Sequence, residues 1–144
     1  MKTLVKTTIL ITIFALISTV TFAQNKYSVS ITVKGIQKRE GKILASISND
    51  IENFPQSGGI KTATAEVTKE GEVILKFEGM MEGKYAIVIY QDLNDSKTLD
   101  MNGQMPAEPF GFSNVTMLMG PPNFLQCAFD LTENKNIEIS LLSF

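Results

Sequence analysis

The sequence predicts an all-β domain, a small β-sandwich of about seven or eight strands, on three observations. Apolar residues recur at every second position almost throughout. Each apolar run is short and is closed by Gly, Pro, Asn or Asp. No segment after residue 23 carries the roughly 3.6-residue period of an amphipathic helix.

The elements follow in order. Tyr27, Val29, Ile31 and Val33 alternate with Ser28, Ser30 and Thr32, which predicts a half-buried first strand. Beyond the Gly35–Gly41 turn region, Ile43, Ala45 and Ile47 define a second. Ala63, Ala65 and Val67 mark a third, whose threonines suit an edge. Val73, Leu75 and Phe77 against Glu72, Lys76 and Glu78 give the cleanest alternation. Thr64–Thr68 and Val73–Phe77 are expected to form a hairpin through Lys69-Glu70-Gly71. Tyr85 to Tyr90 is apolar on both faces and is placed centrally, with the Tyr85 hydroxyl pinning a corner. Val115–Met119, Phe124–Leu131 and Ile137–Leu142 complete the set. The architecture expected is immunoglobulin-like or transthyretin-like.

The first 23 residues read as a secretory signal peptide. Lys2 and Lys6 are basic, Ile9 to Val20 is apolar, and Thr21-Phe22-Ala23 offers a small-residue cleavage site. The apolar run falls short of the roughly 20 residues that span a bilayer. Cleavage leaves residues 24–144 as one domain beginning at Gln24. It also removes two lysines, taking the net charge from −2 to −4 and arguing against nucleic acid as a partner. The location expected is exported, either periplasmic or on the cell surface. One cysteine, Cys127, cannot form an intrachain disulfide. On a strand it would share the apolar face of Leu125 and Phe129 and act as a small buried hydrophobe.

Two stretches lack any period. Asn49 to Ile60 is expected to be a surface loop with one helical turn. Asp92 to Asn114 is unusually long for a connection in a compact domain, and such loops are commonly functional. Within it, oxygen-bearing side chains fall on alternate positions: Asp92, Asn94, Ser96, Thr98 and Asp100. Alternate oxygens on a tightly wound loop are how a hard cation such as Ca²⁺ is held. Asp92, Asn94, Ser96 and Asp100 are therefore the candidate metal ligands, with Glu108 closing the shell. Lys97 stands where the sharp turn of such a loop wants glycine, and Gly103 where a carboxylate belongs. The other reading is a polar loop whose Asp and Asn side chains cap their own backbone.

Next, Phe110 and Phe112 flank Gly111 between prolines and Asn114. They read either as a contact surface for a partner or as anchors folding back over the sandwich.

The run Gly83-Lys84-Tyr85-Ala86-Ile87, then Asp92-Leu93-Asn94, Leu99-Asp100 and Gly103 through Asn114, continues with Pro122 and Phe124–Phe129. In this order the chain resembles the bacterial exported family known as domain of unknown function 2141, from about Tyr27 to Leu142. The most specific part is Pro106 to Asn114. In that family the loop runs roughly His-Asp-Glu-Asn-x-Asn-Gly-Lys-x-Asp. Gln91, Leu93, Ser96 and Lys97 depart from this pattern, whereas Asp92, Asn94 and Asp100 match it. The resemblance implies no activity.

Three function classes follow. The first is a non-enzymatic module contacting a protein or glycan of the cell envelope. The second is a Ca²⁺-dependent structural module. The third, a carboxylate-based hydrolase using Asp92, Asp100 and Glu108, is the weakest. With no histidine, the usual general base and Ser-His or Cys-His nucleophiles are excluded.

Overall fold

Alternation places Val29, Ile31 and Val33 of β1 (Tyr27–Lys34) and Ile43, Ala45 and Ile47 of β2 (Lys42–Ser48) in one buried cluster. Val73, Leu75 and Phe77 of β4 (Val73–Met80) join them, with Tyr85, Ile87 and Ile89 of β5 (Gly83–Asp92). The computed structural model describes residues 25–56 and 58–143; the expected signal peptide, residues 1–23, lies outside them. Among the described residues no helix is long and apolar enough to cross a membrane.

The protein is a β-sandwich. The first sheet has the order β10-β1-β4, where β10 (Lys135–Ser140) runs parallel to β1 and β4 antiparallel. The second has the order β3-β2-β5-β8, with β3 at Lys61–Glu66 and β8 at Phe110–Phe112. The short β9 (Phe129–Leu131) pairs with the start of β5. On one side the two sheets are stitched together. Phe110 donates to the carbonyl of Leu142 at 3.0 Å and accepts from its amide at 2.7 Å. Gly111 explains how they come so close, because a Cβ there would stand 2.6 Å from the Ser140 carbonyl oxygen.

The central place expected for Tyr85–Tyr90 is observed, since β5 pairs with β2, β8 and β9. Its outer face is covered by a second cluster of Phe54, Phe110, Phe112, Phe124 and Cys127 around Ala86. Rings in this layer meet edge to face, Phe110 and Phe112 at 5.8 Å and Phe54 and Phe124 at 5.9 Å between centroids. Buried Ser113 ties the layer to β5, accepting from the Ile87 amide at 2.9 Å and donating to the Cys127 carbonyl at 2.6 Å. Tyr85 makes the expected corner, donating to the Met81 carbonyl at 3.1 Å.

Three sequence expectations are corrected. The hairpin of Thr64–Thr68 with Val73–Phe77 does not form, because β3 belongs to the second sheet and β4 to the first. The link between them crosses the sandwich edge. Arg39 holds it there by donating to the Gly71 carbonyl at 2.7 Å. Val115–Met119 is not a strand; Val115 makes only an isolated bridge to Phe112. Phe124–Cys127 is a single helical turn, α1, rather than part of a strand. A capping box starts it: Asn123 accepts from the Gln126 amide at 3.1 Å, and the Gln126 side chain accepts from the Asn123 amide at 2.9 Å. Cys127 is buried, but on a helical turn from which Leu125 points to solvent.

Candidate functional site

The end of β5 sends two neighbouring polar residues to opposite sides of the sheet. Gln91 continues the inward row of Ile87 and Ile89, and its Nε2 donates to the carbonyls of Lys38 at 2.7 Å and Glu40 at 2.8 Å. It thereby clamps the β1–β2 connection, while its Oε1 is buried without a partner among the described residues. Asp92, on the other side, begins the long loop. Glycine is required opposite it: Gly41 has φ +72°, and a Cβ there would lie 2.2 Å from the Asp92 carbonyl oxygen.

Asp92 is 1% exposed and organises the first turns of the loop. Its Oδ1 accepts from the amides of Asn94 at 3.3 Å and Ser96 at 3.1 Å, and its Oδ2 from the amide of Lys97 at 3.0 Å. Asn94 repeats the pattern, accepting from the Ser96 amide at 3.1 Å while donating to Asp100 Oδ2 at 2.6 Å. Ser96 donates its hydroxyl to the Thr98 carbonyl at 2.9 Å. These are Asx- and ST-type turns, in which side chains cap nearby backbone. Lys97 nevertheless takes the left-handed conformation, φ 63°, at the position where such loops favour glycine. Tyr90 steadies it by donating its hydroxyl to the Lys97 carbonyl at 2.8 Å.

The far end of the loop is held by Glu108, 5% exposed. Its two oxygens accept from the amides of Leu93 at 2.9 Å and Asp100 at 3.2 Å. Between these ends, β6 (Met101–Asn102) and β7 (Met105–Pro106) make a small hairpin. Burial first, and then the negative charges of Asp92 and Glu108, raise the Tyr90 pKa above its ordinary value. On the rim, Lys42 reaches Asp95 at 2.8 Å. That hydrogen bond lowers the Asp95 pKa and raises that of Lys42.

The structure thus gathers Asp92, Asn94, Ser96 and Asp100 into one network with Glu108. The contacts it makes are the self-capping ones. Among the described residues no group of three or more His, Cys, Asp or Glu side chains is arranged to hold a metal ion. None of Asp92, Asp100 and Glu108 stands in an ion pair among the described residues. Phe110 and Phe112 are buried in the outer aromatic layer, so they anchor the loop and offer no open face to a partner. Tyr90 shares the outer face of β5 with Val88. Nothing in the sequence points to its bond with Lys97, which depends on the path of the loop.

No curated protein and no solved structure matches the chain. A family model does match, over residues 31–140, and its description is an uncharacterized protein conserved in bacteria, DUF2141. The shared region runs from β1 to β10 and includes the whole of the Asp92–Glu108 network, and on that extent the chain belongs to this family.

Proposed function

We propose that the chain is an exported, non-enzymatic module of the bacterial envelope, a rigid β-sandwich that serves a structural or binding role toward an envelope protein or glycan. One observation carries this reading. The groups best suited to chemistry are committed to holding the backbone: Asp92 and Glu108 are buried and accept five amide hydrogen bonds between them. The chain has no histidine, and its one cysteine is buried with a pKa pushed up to about 11. A carboxylate hydrolase would need acids free to exchange protons with substrate, and of Asp92, Asp100 and Glu108 only Asp100 is incompletely buried.

The test is recovery of the protein from fractionated cells, followed by incubation of the purified chain with isolated cell-wall and outer-membrane fractions. The expected result is a periplasmic or surface protein beginning at Gln24 that sediments with one of those fractions. Recovery from the cytosol with residues 1–23 attached would overturn the reading.

A second reading, a Ca²⁺-dependent structural module, is favoured by one feature. Asp92, Asp100 and Glu108 are joined by hydrogen bonds through Asn94 and two amides, without a cationic side chain paired to any of them among the described residues. An ion would have to turn the carboxylates of Asp92 and Asp100 away from their present donors. Melting curves with millimolar Ca²⁺, with Mg²⁺ and with chelator decide it. A rise of several degrees specific to Ca²⁺ supports this reading, and a shift below about 1 °C removes it.

A further inference from the structure

Apart from Met1, the chain has six methionines, and the fold divides them sharply. Met80 lies in the inter-sheet core, 1% exposed, and Met81 is half-buried. Met101 and Met105, on the β6–β7 hairpin, are 54% and 47% exposed. Met117 and Met119, in the segment before α1, are 79% and 101% exposed. Between them Leu118 packs against the outer aromatic layer, as does Leu99 just before the hairpin. Each loop is therefore tethered by an apolar neighbour while its thioethers stay in water. Met117 and Met119 also line an open depression of about 560 Å³ beside Pro121 and Gln126.

We infer that Met101, Met105, Met117 and Met119 are oxidative modification sites, converted to methionine sulfoxide by two-electron oxidants of the peroxide class, while Met80 and Cys127 are spared. In each step the sulfur attacks one oxygen of hydrogen peroxide. The O–O bond breaks, an S–O bond forms, and the second oxygen leaves as water after proton transfer. Sulfur loses two electrons and the peroxide gains them. Access decides which sulfur reacts, because a thioether needs no deprotonation and oxidises wherever oxidant can reach it. A thiol reacts as its thiolate. Cys127 is fully buried, and burial holds its pKa near 11, so at neutral pH it is both shielded and protonated. The consequence is local. A flexible apolar side chain becomes polar, and sulfoxides at Met117 and Met119 would add polar S–O groups to the lining of the depression, beside Thr116 and Gln126.

The test exposes the folded chain to a small excess of hydrogen peroxide and follows each methionine by peptide mass mapping over time. The four surface methionines are expected to gain one oxygen about ten-fold or more faster than Met80, with Cys127 still titrating as a free thiol after unfolding. The same reaction in urea is expected to bring all six methionines to similar rates. Oxidation of Met80 at a rate comparable with the other four in the folded chain overturns the inference, as does loss of the Cys127 thiol before the methionines. A contrast that persists in urea also overturns it, since local sequence rather than the fold would then be its cause.

Discussion

Glu108 accepts the backbone amide of Leu93 at 2.9 Å, across 15 positions of the chain. Its other oxygen takes the amide of Asp100, so one buried carboxylate closes the loop from the inside. Replacing it by alanine leaves two amides without acceptors, and Glu108→Ala is expected to cost about 2–4 kcal/mol in chemical denaturation. Glu108→Gln keeps one acceptor and should lose less. Hydrogen exchange at the Leu93 and Asp100 amides should quicken in both. Equal stability of the alanine variant and the parent would remove the closing role.

Lys97 holds φ 63° without being glycine. A side chain in that region costs roughly 1–2 kcal/mol, partly offset by the lower entropy of an unfolded lysine compared with glycine. Lys97→Gly is therefore expected to raise stability by about 0.5–1 kcal/mol, seen as a higher denaturation midpoint with an unchanged slope. A loss of stability would mean that the lysine side chain, not the backbone, matters at this turn.

Phe110 and Phe112 belong to the outer aromatic layer. Truncating either to alanine opens a cavity, and a loss of about 3–5 kcal/mol is expected for each. Such variants test folding before they test any partner, so circular dichroism melts must accompany every binding measurement. A native-like melt for Phe112→Ala would contradict the packing described.

The Tyr85 hydroxyl donates to the Met81 carbonyl at 3.1 Å across the β4–β5 turn. Tyr85→Phe keeps the ring in the core and removes only this bond. A loss of about 0.5–1.5 kcal/mol is expected. No measurable change would leave the corner to the ring alone.

Burial raises the Cys127 pKa from 9.0 to about 11. A thiol that ionises later folded than unfolded keeps its proton longer in the native state. Between those two values the unfolded chain therefore releases the proton first, and stability falls as pH rises. Lys42, raised by Asp95, acts in the same direction, because its contribution is lost as pH climbs through its folded value. The useful measurement is the difference between parent and Cys127→Ala. The alanine variant should show the shallower decline from pH 9 to 11, and identical slopes would contradict the thiol's contribution.

Much of the sandwich is legible in the sequence. The buried rows Val29-Ile31-Val33, Ile43-Ala45-Ile47 and Val73-Leu75-Phe77 follow from period two, and β5 is central because it is apolar on both faces. Partner choice is less legible. Lys69-Glu70-Gly71 makes a local turn, but whether its two strands pair depends on β2 and β1, distant in sequence, competing for them. The helical turn at Phe124 has a local signal, an Asn and a Gln three residues apart, but the apolar alternation around it reads as strand and outweighs that signal. At the candidate site the sequence placed the oxygens of Asp92, Asn94, Ser96 and Asp100 in one loop and named Glu108. It could not say that Asp92 and Glu108 would turn to backbone amides, nor that Tyr90 would hold Lys97.

By itself the sequence determined the two-faced strands, the hydrophobic core and the location of the long polar loop, because side-chain alternation and turn chemistry act within a few residues. Only the tertiary structure decided which strands pair and that Phe110 and Phe112 face inward. It also set which methionines meet solvent and where the loop carboxylates point. Each of these depends on surfaces brought together from distant parts of the chain, where packing and hydrogen-bond satisfaction outweigh local preference.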